Sequence, residues 1–364
     1  MTEQENMAST AVPAAGYGAD GVYRSLRPAA PIASDPGFSL NDLLFRRAEA
    51  CPTALALVDA ATGQALTFAE LRSAVLTTAV ALSSRAGVRP GDVVLVLVPN
   101  CVLYPICFFA VTAIGAIVTT ANALYTPREI AKQVADSRAK LAITFSALLP
   151  KIVDLGLPAI LLDGDATSAN AFATPGATVT LYSDLVAGAH ETEYRRPETK
   201  QSDTAALLYS SGTTGASKGV ILTHGNFISS STMVTSDQDQ RGDGPNVFLC
   251  FLPMFHISGL AAIVFAQLQR GNAVVVMSGF EMHAVVAAVQ RHRVTHLHCA
   301  PPVMNALAKR GTALKYEYDV SSVKVICSGA APLGKDVMEA VARNFPDAQI
   351  IQFHKKVTDA SGSK

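Results

Sequence analysis

Residues Leu208–His224 read Leu-Tyr-Ser-Ser-Gly-Thr-Thr-Gly-Ala-Ser-Lys-Gly-Val-Ile-Leu-Thr-His, a loop rich in hydroxyls and glycine that carries one lysine between two apolar, strand-like runs. That composition suits a polyphosphate cradle. Backbone N–H groups at Gly212, Gly215 and Gly219 and the hydroxyls of Ser210, Ser211, Thr213, Thr214 and Ser217 can donate to phosphate oxygens, while Lys218 supplies charge. A Walker A loop is disfavoured, because it needs glycine immediately before its lysine and Ser or Thr after it. Here Ser217 precedes Lys218 and Gly219 follows. A flexible Ser/Gly linker would need neither the lysine nor the flanking strands.

The elements that must position this loop follow an α/β alternation. Ser39 ahead of Leu43, Leu44 and Phe45 predicts a capped helix, and Phe68–Ala86 continues helical until Gly87, Pro90 and Gly91 stop it. Val93–Val98 reads as a buried strand. Thr126-Pro127-Arg128-Glu129 is a capping box with proline at the first helical position, opening a helix to about Ser137, with strands at Leu141–Thr144 and Ala159–Leu162. After a polar linker, Thr192–Asp203, strands are expected near Ala205–Tyr209, Val247–Leu252, Ala273–Met277, Val294–His298 and Val323–Ser328. Helices are expected near Phe280–Arg291 and Lys335–Phe345. Such spacing implies parallel sheets covered on both faces.

The 364 residues are enough for about two or three domains. Lys plus Arg and Asp plus Glu each total 29 and the charged fraction is 16%, so the chain lacks the basic footprint of a nucleic-acid binder, and a small-molecule partner is favoured. The six cysteines include no Cys-x-x-Cys pair and read as reduced core thiols of a cytoplasmic protein. The N-terminus lacks the pattern of a secretory signal. Cys101–Thr120 is uncharged and long enough for a bilayer, but Pro105 and Gly115 divide it into a helix-like Leu103–Ile114 and a β-branched Ile117–Thr120, which favours a buried helix feeding a buried strand over a membrane span. His292, His296 and His298 invite a metal reading, which is disfavoured because no cysteine or carboxylate completes a ligand set. Arg291, His292 and Arg293 better fit the C-terminus of the preceding helix.

Taken with three later or earlier stretches, the Ser210–Lys218 loop resembles the signature loop of the adenylate-forming superfamily of acyl-CoA synthetases, luciferases and peptide-synthetase adenylation domains. Phe251–Gly259 (Phe-Leu-Pro-Met-Phe-His-Ile-Ser-Gly) resembles the family's second core motif, and Val325–Gly334 (Val-Ile-Cys-Ser-Gly-Ala-Ala-Pro-Leu-Gly) resembles the strand and turn facing adenine and acyl group. Upstream, Asn122–Ile130 is similar to the corresponding stretch of plant 4-coumarate:CoA ligases and their ligase-like relatives. The similarity runs from about Gly21 to Gln352.

The resemblance implies an α/β fold, the large N-terminal domain of the adenylate-forming enzymes, with two packed α/β subdomains and mixed, mostly parallel sheets. It implies a disordered segment over 1–34, subdomains over 35–200 and 201–352, and a tail at 353–364 outside the family pattern. The implied activity is ATP-dependent carboxylate:CoA ligation with ATP, Mg²⁺ and CoA, acting on a small-molecule carboxylic acid. Ser210, Ser211, Gly212, Thr213, Thr214, Gly215 and Lys218 would hold the ATP phosphates. Lys218 and His256 would carry catalysis, and His256, Ser258, Gly329, Ala330, Ala331 and Gln352 would line the acyl-adenylate site, with no metal ligand from the chain itself.

Departures from the pattern set further expectations. Ser258 stands where 4-coumarate ligases carry tyrosine, Ala262 where they carry serine, and Gly279 where a lysine usually approaches CoA. Smaller groups make a roomier, less polar pocket, which points to a fatty or oxylipin-type acid. After Gln352 the family continues Gly-Tyr-Gly-Met-Thr-Glu, then a ribose-binding aspartate, a hinge and a mobile C-terminal domain bearing a catalytic lysine. Here Phe353–Lys364 has no core pattern. The sequence is thus expected to be a truncated product with an unfinished, exposed second sheet. Two readings stand: a ligase, or a catalytically inactive isoform that retains weak nucleotide binding or serves as a regulatory partner. A peroxisomal setting is left open for a longer form.

Overall fold

The computed structural model describes residues 16–17, 23–24, 29–165, 178–211, 217–329 and 331–352. The expected disordered segment lies largely outside this set, and the 353–364 tail lies wholly outside it.

Helix starts follow local capping chemistry. In α1 (Leu40–Ala50) the Ser39 hydroxyl accepts from the Asp42 N–H while the Asp42 carboxylate accepts from the Ser39 N–H. The same reciprocal pair, Thr67 with Glu70, opens α2 (Phe68–Ser84). Helix α3 (Leu103–Ala113) has no side-chain cap, and every residue from Tyr104 to Ala113 is buried, so tertiary packing maintains it. Thr126 and Glu129 box the start of α4 (Pro127–Ser137), with Pro127 at its first position. A short α5 (Tyr182–Val186) precedes α6 (His224–Gln240), boxed by Thr223 and Asn226. A π-helical segment, Ser258–Phe265, runs into α7 (Ala266–Arg270). Then come α8 (Met282–His292), capped by Glu281, α9 (Pro301–Glu317) and α10 (Lys335–Asn344).

The strands are β1 (Leu55–Asp59), β2 (Ala65–Thr67), β3 (Val93–Leu97), β4 (Ile117–Thr120), β5 (Leu141–Thr144), β6 (Ala159–Leu161) and β7 (Val179–Leu181). They continue with β8 (Thr204–Ser211), β9 (Ser217–Thr223), β10 (Val247–Cys250), β11 (Ala273–Val276), β12 (His296–Cys299), β13 (Val325–Ser328) and β14 (Gln349–Gln352). They form two seven-stranded sheets, in the orders β9-β8-β4-β3-β5-β6-β7 and β14-β13-β12-β10-β11-β1-β2. Each is parallel except at one end, where β9 runs antiparallel to β8 and β2 to β1. The unbroken apolar runs of β3 and β11 are buried along their whole length, as strands covered on both faces must be.

One core lies between the sheets. It joins Val94, Val96 and Val118 of the first sheet to Phe248, Val274 and Val276 of the second through the helical layer of α1, α2, α3 and the π-segment. At its centre Phe108, Phe109, Phe227 and Phe265 meet with ring centroids 5.4–6.0 Å apart. Full burial of each phenyl contributes about 1.5–3 kcal/mol. The outer faces carry two smaller cores, one beneath α4 and one beneath α8, α9 and α10.

A division at residue 200 is not the division between the sheets. Strands β8 and β9, beyond that point, belong to the first sheet, and β1 and β2, well before it, belong to the second. The polar Thr192–Asp203 stretch does not hang free either. Arg196 pairs with Asp42 at 2.7 Å, and the Gln201 side-chain amide donates to the carbonyls of Ala33 and Asp35. Charge identifies that stretch as exposed, but fixed side-chain contacts make it a strap across α1.

Among the described residues, no helix is long and apolar enough to cross a membrane. Leu103–Ala113 and Ile117–Thr120 separate into the helix and strand expected from Gly115, whose φ of +71° breaks the helix.

Two imidazoles are built into this core. His224 is buried at the head of α6, where its Nδ1 accepts the first N–H of α1, from Leu40, at 3.4 Å. Burial lowers its pKa to about 4 from the ordinary 6.5. His296 is lowered to about 3, by burial first and by neighbouring His298 second. Because these folded-state values lie below 6.5, the unfolded chain takes up protons first on acidification. Their stabilisation is therefore whole above about pH 6.5 and is lost as pH falls toward and through the folded values, by about 1.4 kcal/mol per imidazole per pH unit within that window. The urea midpoint is expected to drop between pH 7 and pH 5, and His224→Gln should flatten the drop. An unchanged midpoint over that range would contradict the assignment.

Candidate active site

The neighbouring parallel strands β10, β12 and β13 end at Cys250, Cys299 and Ser328, and the chain leaving their C-terminal ends encloses a cleft of about 470 Å³. Open parallel sheets place ligands at this edge, where strand ends diverge and loops can vary. Leu252, Pro253 and His256 form one wall, Ser258 and Ala262 of the π-segment a second, Val234 of α6 a third, and His298, Cys299, Ala300, Cys327 and Gly329 the floor.

The wall that carries His256 is held from the first sheet. Asn100, just after β3, donates to the Leu252 carbonyl at 2.9 Å and to the Met277 carbonyl at 3.2 Å, and accepts from the Met254 N–H at 2.8 Å. Thr120, at the end of β4, donates to the Phe255 carbonyl at 2.7 Å. Gly259 completes the fit. A Cβ there would lie 2.3 Å from the Pro253 carbonyl oxygen and 2.8 Å from that of Leu252, so only glycine lets the π-segment begin against this loop. π-Helical turns are uncommon and recur at functional sites.

His256 is exposed at the cleft, and its Nδ1 accepts the Ser258 N–H at 3.3 Å. With Nδ1 an acceptor, the ring proton resides on Nε2, a donor for an anionic oxygen. Cys299 and Cys327 of the floor are buried, and His298 is half-buried at the cleft. Burial lowers the His298 pKa to about 4, pushes the Cys327 thiol up to about 12, and raises Cys299 further. At neutral pH the floor thus presents a neutral imidazole and two protonated thiols, and neither cysteine is an activated nucleophile.

Of the residues expected to cradle phosphate, Ser210, Ser211 and Lys218 lie on paired strands at the edge of the first sheet. Ser210 pairs with Lys218 and Ser211 with Ser217 across β8 and β9, and Ser210 and Lys218 are exposed. The strand pair is anchored by Tyr209, whose ring lies over Gly219 (a Cβ there would be 3.2 Å from Cζ) and whose hydroxyl donates to Asp136 of α4 at 2.5 Å. Gly212, Thr213, Thr214, Gly215 and Ala330 lie outside the described residues. Of the remaining expected site residues, His256, Ser258 and Gly329 line the cleft together. Ala331 is exposed beyond it, and Gln352 ends β14 in register with Ser328. Neither Ala331 nor Gln352 lines the cleft.

Sequence reasoning missed Val234, His298 and Cys299. The available signal was positional, since His298 and Cys299 close a strand whose neighbours carry the recognised motifs. Among the described residues no group of three His, Cys, Asp or Glu side chains could hold a metal ion. His296 is occupied otherwise, stacked on Phe248 at 4.4 Å with its Nδ1 2.8 Å from the Thr295 hydroxyl. Arg291 and His292 do lie in the last turn of α8, where they reach the carbonyls of Ala61 and Ala60.

Residues 44–353 match the family model described as AMP-binding enzyme. The chain belongs to the AMP-binding enzyme family. It is 40% identical to the peroxisomal OPC-8:0-CoA ligase of Arabidopsis thaliana over 336 residues, covering 91% of this chain and 60% of that protein. It is 36% identical to a 4-coumarate–CoA ligase of the same plant, covering 90% of this chain and 58% of that one. The chain therefore spans about three fifths of the length of these curated relatives. A long-chain-fatty-acid-CoA ligase from Archaeoglobus fulgidus shares the fold with a TM-score of 0.76 at 24% identity, over 90% of this chain and 65% of that one. An anthranilate CoA ligase in complex with anthranoyl-AMP does so with a TM-score of 0.74 at 20% identity, over 87% and 60%.

The tight fit at Gly259 can be tested directly. Gly259→Ala should destabilise the protein by about 1–3 kcal/mol in urea unfolding, the usual cost of overpacking, by driving the π-segment off the Leu252–Pro253 backbone. A variant as stable as the native chain would mean that this close approach is not required.

Proposed function

We propose that the chain activates an aliphatic carboxylic acid as its adenylate, the first half of an ATP-dependent carboxylate:CoA ligase reaction. The observation that carries this reading is the apolar cleft at the strand ends, with the His256 Nε2–H as an exposed donor and Ser258 and Ala262 in its wall. A carboxylate oxygen attacks the α-phosphorus of ATP, the α–β phosphoanhydride breaks, and pyrophosphate leaves. The CoA sulfur then bonds the acyl carbon, AMP departs with the carboxylate oxygen, and the thiol proton is released. This chemistry asks the protein for alignment and charge neutralisation rather than a covalent intermediate.

In this reading Ser210, Ser211, Gly212, Thr213, Thr214, Gly215 and Lys218 hold the ATP phosphates. His256 orients the carboxylate and then the adenylate, and Gly329, Ala330, Ala331 and Gln352 flank the nucleotide. Mg²⁺ would enter bound to the ATP phosphates and would supply neutralisation of their charge. The acid class follows from the walls. Val234, Leu252, Ala262, Cys299 and Cys327 offer hydrocarbon and thiol surface, which rewards burial of an aliphatic tail by about 0.8 kcal/mol per methylene. One relative, 40% identical, is named an OPC-8:0-CoA ligase and another, 36% identical, a 4-coumarate–CoA ligase, so the apolar walls carry the choice of a fatty or oxylipin-type acid. All six cysteines are free thiols, in keeping with a reducing compartment such as the cytoplasm. A peroxisomal setting, as in the name of the OPC-8:0-CoA ligase, is the alternative.

ATP–pyrophosphate exchange across saturated acids of increasing length and 4-coumarate tests the proposal. Exchange should be fastest with medium- or long-chain acids. His256→Ala should slow it about 100-fold or more, as expected for loss of a donor to a developing anion. Preference for 4-coumarate would overturn the acid assignment, and no exchange with any acid would overturn turnover by this chain.

A further inference from the structure

We propose that His298 reads a hydrogen-bonding oxygen in the body of the acyl group, so that the preferred acid is an oxo- or hydroxy-substituted aliphatic acid rather than a plain hydrocarbon one. The inference rests on the acyl-adenylate reading of the cleft and assigns its floor a polar recognition point separate from His256.

The two histidines of β12 differ in how their rings are used. Phe248 of β10 contacts both: it stacks on His296 at 4.4 Å with an interplanar angle of 24°, and meets His298 edge-on at 5.7 Å and 69°. His296 has its Nδ1 2.8 Å from the Thr295 hydroxyl. His298 instead lines the cleft, and its ring makes no hydrogen bond among the described residues. The Phe248 contact restrains the ring plane, so this polar group is positioned in advance of a ligand.

Its surroundings make an unpaired imidazole costly. Cys299, Cys327, Val234, Leu252 and Ala262 share the cleft with it. A plain alkyl chain entering there would strip water from His298 and return no hydrogen bond, and leaving a buried polar group unpaired is expensive. A carbonyl or hydroxyl at the matching carbon would pair with it. Burial keeps the imidazole neutral, with its pKa lowered to about 4, so the ring offers one donor and one acceptor and no charge. That suits a neutral oxygen and not a second carboxylate. His256, exposed at the cleft, remains free for the charged end.

The test uses the chain as it stands and non-hydrolysable acyl-sulfamoyl-adenosine analogues as probes. One carries a plain alkanoyl chain, and matched sets of equal length carry a single oxo or a single hydroxy group at successive carbons. Dissociation constants are measured by calorimetry for the native chain, His298→Leu and His298→Gln. The native chain should favour at least one oxo or hydroxy analogue over the plain one by about fivefold or more, the worth of one net hydrogen bond. His298→Leu should abolish that preference while binding the plain analogue at least as tightly as the native chain does, which also reports that the variant is folded. His298→Gln should retain part of the preference. The oxo and hydroxy arms reveal whether the ring acts only as a donor or also as an acceptor. Equal affinity for all analogues in the native chain, or a preference that survives His298→Leu, would overturn the role of His298 and leave the adenylate reading standing. Failure of every analogue to bind would overturn both.

Discussion

The cross-brace from Asn100 and Thr120 to the loop at residues 252–255 is the interaction on which the rest of the site depends. Both side chains sit at the C-terminal ends of first-sheet strands, and the backbone groups they engage belong to a loop leaving the second sheet. Asn100 uses donor and acceptor together and reaches the end of β11 as well, through the Met277 carbonyl. A buried amide that satisfies three backbone groups is costly to replace, since each orphaned group would carry its own desolvation penalty. The loop that presents His256 is therefore a junction of two sheets. Its position is set by the core that joins them.

That junction explains the character of the cleft. The loop is pinned from one side, and the π-segment starts at Ser258 against the same backbone because Gly259 has no Cβ. Behind the π-segment, Gln267 donates to the Ala262 carbonyl, and the Gln267 and Gln238 side-chain oxygens accept from the Asn272 amide, a buried amide network that ties α6 to the segment. The cleft walls are thus supported by hydrogen-bonded polar groups, while the surfaces facing inward are mostly apolar. Dry walls with a few fixed polar points are what selective recognition of an apolar ligand requires.

Much of this was legible in the sequence, and the parts that were not have physical reasons. The capping box of Thr126 and Glu129, the strand runs at Val93 and Ala273, and the break at Gly115 are local signals, and each element appeared where those signals placed it. Helix α6 was not anticipated because Ser229–Thr232, Thr235 and Ser236 are weak helix formers. In the fold, Ser231, Thr232 and Thr235 turn their hydroxyls back onto carbonyls three or four residues earlier, and tertiary packing supplies what propensity lacks. Which strands share a sheet was not legible, for a different reason. Nothing local in Leu55–Asp59 says that it will pair with Ala273–Val276, more than two hundred residues away. Within the site, the motif residues His256, Ser258 and Gly329 line one cleft, whereas His298 and Val234 belong to it only through the three-dimensional meeting of β12 and α6.

The most direct test of the account is hydrogen–deuterium exchange of the chain with and without a non-hydrolysable acyl-adenylate analogue. Ligand-induced protection should fall on the strand-end segments 252–260, 298–300 and 327–329 and on the strands around Ser210 and Lys218. Protection confined to other surfaces, such as the separate hollow beside Asp59, Gly279 and Arg291, or no protection anywhere, would contradict the placement of the adenylate at the braced cleft.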